Sequence, residues 1–225
     1  KIIECTAILG IAVEYRLLVA VIEHEVPRDE IDLLLMDLID LGIFVSDGSH
    51  EYERFLLSPP LLRDFYLEQM SQTRLNTLHT FAIDAYHSLW PQDKGPISGH
   101  LGDHYANSGQ ADLAIGAWLD AYEFQFHHGD PLRAAQWGTK IMDALGPEDP
   151  RAVQCALKTG RLLLDMGELD RAEVLLLPLQ SNSDVDTVLR AGEVLSDIYE
   201  NRGSGQAWKA LKIHLDTVIS SASPL

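Results

Sequence analysis

The run Arg28-Asp29-Glu30-Ile31-Asp32-Leu33-Leu34-Leu35-Met36-Asp37-Leu38-Ile39-Asp40-Leu41-Gly42-Ile43-Phe44-Val45-Ser46 changes its period partway along. Leu34, Leu35, Leu38 and Leu41 recur at three- and four-residue spacing, which predicts one apolar stripe on a helix over 31–41. Pro27 before Arg28, Asp29 and Glu30 suits a helix first turn, where free N–H groups and the dipole favour negative charge. Gly42 ends the helix. Ile43–Ser46 is short and rich in strand formers, Asp47-Gly48-Ser49-His50 is a turn signal, and Glu51–Leu57 resumes an extended pattern.

Upstream, Lys1–Leu9 and Glu14–Glu23 read as two further short helices separated at Gly10. Three helices followed by a two-stranded hairpin is the order of a winged helix-turn-helix. Pro59-Pro60 closes the wing, and a further helix is expected from about Leu61 to Met70.

Beyond Ser71 the pattern is helical throughout, with breaks at Trp90–Pro96, Ser108–Gln110, Gly129–Pro131, Gly146–Pro150, Gly167, Gln180–Asp184 and Gly203–Gly205. Alanines at 111, 114, 117, 121, 134, 135 and 144 stand where neighbouring helices would approach closely. Successive helix–turn–helix units without long strands are the mark of an α-solenoid. Leu101-Gly102-x2-Tyr105, Gly109, Ala114, Trp118 and Ala121 follow the tetratricopeptide spacing of small, aromatic and small residues. A second unit (Ala152–Gly167, then Leu169–Leu179) uses Gly160 and Ala172 in the small slots, and a third (Val185–Arg202, then Gln206–Ile219) uses Ala191-Gly192 and Ala210. The expected fold is mainly α, a winged helix with a small β-hairpin over 1–72 followed by a tetratricopeptide-like α-solenoid over 73–225.

Composition narrows the function. The 225 residues carry 34 Asp+Glu against 17 Lys+Arg, a net charge of −17 that is spread over both halves. The helix at 28–41 has five acids and only Arg28 as a base. A surface so acidic repels phosphate, which argues against a nucleic-acid reader. Apolar runs such as Leu33–Met36 and Val174–Leu177 fall far short of the roughly 20 residues a bilayer requires. Cys5 and Cys155 have no CxxC partner and read as partly buried free thiols of a cytoplasmic protein. Lys1 in place of Met, at the head of an amphipathic segment, reads as a piece of a longer polypeptide.

No catalytic pattern stands out. GxxxxGK[ST] and GxGxxG are both absent, so no glycine-rich turn offers its amides to phosphates. Leu33–Asp37 mimics an apolar strand ending in a magnesium-binding Asp, but it lies inside the helical stripe. His100 and His104 share a helix face without a third ligand, so His104 is expected to be packed and His100 exposed. His127-His128 suits the C-terminal end of a helix. Ser58, Ser71, Ser98 and Ser108 lack a GxSxG elbow. Carboxylate pairs such as Asp37/Asp40, Glu51/Glu53 and Asp184/Asp186 are ordinary in so acidic a chain. Most of the aromatic residues around the first repeat are expected to pack between helices; the alternative is that some of them line a partner-binding groove of Asp103, Tyr105, Trp118 and Tyr122, since aromatic anchors often dominate binding energy.

Three stretches carry a family resemblance: Asp29–Phe44, with its leucine-rich helix and glycine before the wing; Pro60-Leu61-Leu62-Arg63-Asp64 followed by Arg74-x3-Leu78-His79-x2-Ala82; and His104-Tyr105-x3-Gly109-x4-Ala114-x3-Trp118-x2-Ala121. In this order the chain resembles the C-terminal half of bacterial signal-transduction ATPases with numerous domains, which include maltose-activator-like regulators and cyclase- or kinase-associated ATPases. The resemblance implies a non-catalytic sensor segment. Its helical repeats would receive a protein or small-ligand partner, and its winged helix would pack on an upstream nucleotide-binding module. ATP and Mg would belong to that module and not to this fragment, which would carry no cofactor and no metal. Such proteins usually carry a His before the post-wing Pro-Leu-Leu run; here that place is Pro59, which leaves nucleotide sensing by the winged helix without its usual residue. The competing expectation is a DNA-binding transcriptional regulator that uses the winged helix.

Overall fold

The computed structural model describes residues 1–47, 53–92 and 95–222. The hairpin turn predicted at 48–50 and the start of the strand at Glu51-Tyr52 lie outside the described residues. The described chain is mainly helical, with one small three-stranded antiparallel sheet. It divides into two compact units, Lys1–Ala114 and Ile115–Leu225.

The first unit opens with α1 (Ile2–Leu9), β1 (Ala12–Glu14), α2 (Tyr15–Ile22), α3 (Arg28–Asp40), β2 (Phe44–Asp47) and β3 (Arg54–Leu57). β3 lies in the middle of the sheet, with Val13 opposite Phe55 on one side and Ser46 opposite Phe55 on the other. Val13, Phe44, Phe55 and Leu57 are buried with α1 and α2, while Arg54 points out, the alternation that a half-buried strand imposes. β1 was not anticipated. Its three residues carry no period of their own and become a strand only by pairing with β3.

Gly42 stops α3 as expected. Its φ of 70° is left-handed, and the Ile43 N–H then reaches back to the Leu38 carbonyl, closing the helix end. The predicted apolar stripe is corrected, however. Ile31 and Leu35 are the residues α3 buries completely, whereas Leu34 and Leu41 are exposed. Ile31, Leu35 and Leu38 form one row and Leu34 and Leu41 the next, and the core receives only the first.

α4 (Leu61–Gln69) lies on α1 without burying any residue completely. α5 (Gln72–Leu89) packs on α1 and α2, and α6 (Ser98–Asn107) packs on α5. The first unit therefore runs well past the 72/73 boundary suggested by the sequence, because Leu78, Ala82, Ile83, Ala85 and Tyr86 share one core with α1 and α2. Arg74 ties these elements together: its guanidinium donates to Glu4 Oε2 (2.6 Å) on α1 and to both carboxylate oxygens of Glu25, just beyond α2. The Arg74 guanidinium in turn holds the Glu25 carboxyl below its usual range.

In the second unit, α7 (Ala111–His127, from Ile115 onward) is followed by α8 (Pro131–Leu145), α9 (Pro150–Asp165), α10 (Leu169–Leu176), a 3₁₀ segment (Leu177–Ser181), α11 (Val185–Asn201) and α12 (Gly205–Ala222). Asp130 and Asp149 cap α8 and α9 through the N–H groups of Arg133 and Arg151, each just before a proline at the first helical position. Asp184 caps α11 through Thr187. α9 is central: it contacts α8, α10 and α11, and meets α7 where Thr159 Oγ1 donates to the Tyr122 hydroxyl at 3.1 Å.

Small residues set the close approaches. Gly160 lies under Leu176 of α10 and Gly192 of α11 lies under Leu215 of α12, so close that a Cβ at either glycine would stand 2.7 Å from the leucine. Of the alanines expected at such contacts, Ala111 and Ala144 are exposed, while Ala114, Ala117, Ala121, Ala134 and Ala135 are buried.

Candidate functional site

The four residues nominated for a groove are divided between the two units. Asp103 and Tyr105 stand half-buried on α6 in the first unit. Tyr105 packs against that unit's core and its hydroxyl meets His87 Nε2 of α5 at 2.7 Å. Burial, with Asp84 nearby, raises the Tyr105 phenol above its usual pKa.

Trp118 and Tyr122 stand on α7 in the second unit. Tyr122 is 0% exposed; it receives the Thr159 hydroxyl and its own O–H donates to the Cys155 carbonyl at 3.3 Å. Tyr122 is therefore a core residue, a correction to its place in a ligand groove, because a ring with no exposed surface has none to offer a partner. Trp118 is also buried, and the Lys140 ammonium lies 5.7 Å from its ring and 4.7 Å from that of Trp137.

The histidines give a more definite constellation. His104 is buried and His100 exposed, as their helical positions suggest. What the spacing could not show is that His104 Nδ1 lies 2.8 Å from Nδ1 of His79 on α5, with the ring of Tyr86 beside them. One imidazole donates its Nδ1–H and the other accepts, so the accepting ring must be neutral with its proton on Nε2. Burial lowers the pKa of His79, and burial with the neighbouring His79 and His100 pushes His104 down to about 3. The arrangement is a neutral clasp between α5 and α6. It does not present a base to substrate, and among the described residues no group of three His, Cys, Asp or Glu could hold a metal.

The remaining candidates resolve into structural positions. Ser71 caps α5 by accepting from the Arg74 N–H, Ser108 donates to the Tyr105 carbonyl, and Ser98 is buried. His127 pairs with Glu123 within α7, and His128 Nδ1 meets the Phe124 carbonyl at 2.7 Å. Cys5 and Cys155 are free and buried, and burial pushes both thiols up to about 12. Asp37 of the magnesium-like run stands exposed within α3 and not at the end of a strand, so these residues do not fit a nucleotide site.

One feature escaped the reading of the sequence. The outer side of α3 leaves Leu33, Leu34, Met36 and Leu41 exposed among Asp29, Glu30, Asp37 and Asp40. The runs of leucine were visible, but which of two adjoining rows meets the core is decided by the rest of the unit. In the second unit, a depression of about 300 Å³ lies between α8 and α10, floored by Ala135 and Leu175 and edged by Asp170 and Arg171. Arg202 takes up Asp170 at 2.5 Å. No helix among the described residues is long and apolar enough to cross a membrane.

No protein-family model matches this chain, and no curated protein matches it. Among solved structures, a crystal structure of BtubC (BKLC) from P. vanneervenii is similar at 15% identity, over 73% of this chain and 81% of that one, with a TM-score of 0.36, a likeness too loose to carry an argument.

Proposed function

We propose that this chain is a non-catalytic regulatory segment of a multidomain bacterial signalling ATPase, with a winged helix at its head and tetratricopeptide-like repeats after it. One observation carries the reading: the helix–strand–helix–helix–strand–strand order of residues 2–57, in which β3 pairs with both other strands, leads into a succession of helices joined by short connections. The small-residue contacts at Gly160 and Gly192 support the repeat assignment, since in each of two successive helix pairs a glycine of the first helix meets a leucine of the second. The upstream nucleotide-binding module would supply ATP and Mg chemistry, in the cytoplasm. The repeats would bind a protein or small ligand, which shifts an off/on equilibrium only by binding one arrangement more tightly than the other.

The complete reading frame tests this directly. A GxxxxGK[ST] motif is expected in the polypeptide N-terminal to Lys1, and a frame without one overturns the proposal. The DNA-binding alternative places α3 in the major groove, where its acids would face phosphate. A gel shift with random duplex at low salt is expected to show no complex, and clear binding would favour that alternative.

A further inference from the structure

We infer that the outer face of α3 is a docking surface for a basic amphipathic helix of a partner protein. The inference rests on reading the winged helix as a protein-packing module and names the face and the chemistry of its partner. Leu33 is 66% exposed, Met36 63% and Leu41 72%, whereas Ile31 and Leu35 of the same helix are buried. A single exposed leucine needs no explanation, but several large apolar side chains gathered on the outer side of one helix mark an interaction site.

Charge then selects the occupant. The apolar residues are interleaved with carboxylates: Leu33, Met36 and Asp40 run along one row of the helix, and Leu34, Asp37 and Leu41 along the next. Asp32 accepts from the Tyr15 hydroxyl at 2.5 Å, but Asp37 and Asp40 have no ion pair among the described residues. The helix's one base, Arg28, is engaged by Glu23 at 2.7 Å. Duplex phosphate and anionic lipid are repelled by such a face, and a second copy would set carboxylate against carboxylate. A helix with leucine-type residues on one stripe and lysine or arginine beside it satisfies both the apolar and the acidic parts, the helix-on-groove mode of recognition.

The probe is a labelled 18-residue synthetic helix, with Leu at positions i, i+3, i+4 and i+7 and Lys elsewhere, titrated with the intact chain and followed by fluorescence anisotropy at low and moderate salt. A matching helix with Glu for Lys serves as control. Leu33→Ser/Met36→Ser/Leu41→Ser keeps every charge and alters only exposed positions, so circular dichroism should report an unchanged fold. It is expected to weaken Lys-helix binding at least tenfold. Asp37→Asn/Asp40→Asn should weaken it several-fold and flatten its salt dependence, while Asp186→Asn on the exposed side of α11 should leave it unchanged. Failure of the wild-type chain to bind the Lys helix overturns the inference. So does binding within twofold in the triple-serine variant, which would mean attraction by net charge alone. A concentration-dependent dimer in sedimentation that the triple-serine variant abolishes would assign the face to a second copy and overturn it as well. A missing interaction together with a P-loop upstream of Lys1 would remove this docking face and leave the proposed function standing.

Discussion

Replacing Gly160 by Ala adds one methyl group where α9 lies against α10. An ideal Cβ there stands 2.7 Å from Cγ of Leu176 and 2.8 Å from both its δ carbons, whereas carbons in contact sit at about 3.5–4.0 Å. Leu176 is itself fully buried and has no solvent to swing into, so it must leave its rotamer or α10 must shift. Overpacking of this kind costs about 1–3 kcal/mol, and a clash with three atoms belongs near the top of that range. Removing a glycine from a helix interior works the other way, by about 1 kcal/mol. The balance is a loss of about 2 kcal/mol. Urea unfolding followed by far-UV circular dichroism would show a lower midpoint at unchanged slope. Leu176→Ala should cost about 2–5 kcal/mol in the native background but clearly less in the Gly160→Ala background, where the new methyl group occupies part of the vacated space. If Gly160→Ala raised the midpoint, or if the two substitutions simply added, helix propensity alone would govern the position and the close approach would be refuted.

The buried histidines predict an acid-sensitive first unit. Because the folded-state pKa of both is depressed below 6.5, with His104 at about 3, their contribution is complete above pH 6.5 and is lost as the unfolded chain takes up protons below it. His104 alone accounts for about 2 kcal/mol between pH 6.5 and pH 5, and a urea midpoint that does not move over that interval would contradict the buried pair. Arg74→Met strands Glu4 and Glu25 and should destabilise by about 2–3 kcal/mol, toward the lower end for a partly exposed cluster, with partial recovery on adding Glu25→Gln. Thiol titration with an aromatic disulfide should find Cys5 and Cys155 unreactive in the native chain and both reactive in urea, because they are buried and their thiols lie far above neutral pH.

Local features were largely legible. The helix ends at Gly42, Gly129, Gly146, Gly167 and Gly203 follow from residue types acting on their own backbone neighbours. The tight packing at Gly160 and Gly192 was legible for a related reason: a glycine in the middle of a periodic helical run costs stability unless a neighbour uses the space. β1 was hidden because strand pairing is a contact between distant residues, and Tyr122 stayed undecided between groove and core because an aromatic side chain looks the same in a sequence whichever it faces.

The helical character, the change of period near Gly42 and the acidity of α3 come from short-range propensity and composition, and these are properties of the chain before it folds. Which row of α3 is buried, that His79 meets His104 across 25 positions, and that Arg74 reaches Glu4 across 70 are properties of the folded unit alone. Periodicity says which side chains share a face. Only the elements packed around that face decide whether it meets a core or is left for a partner.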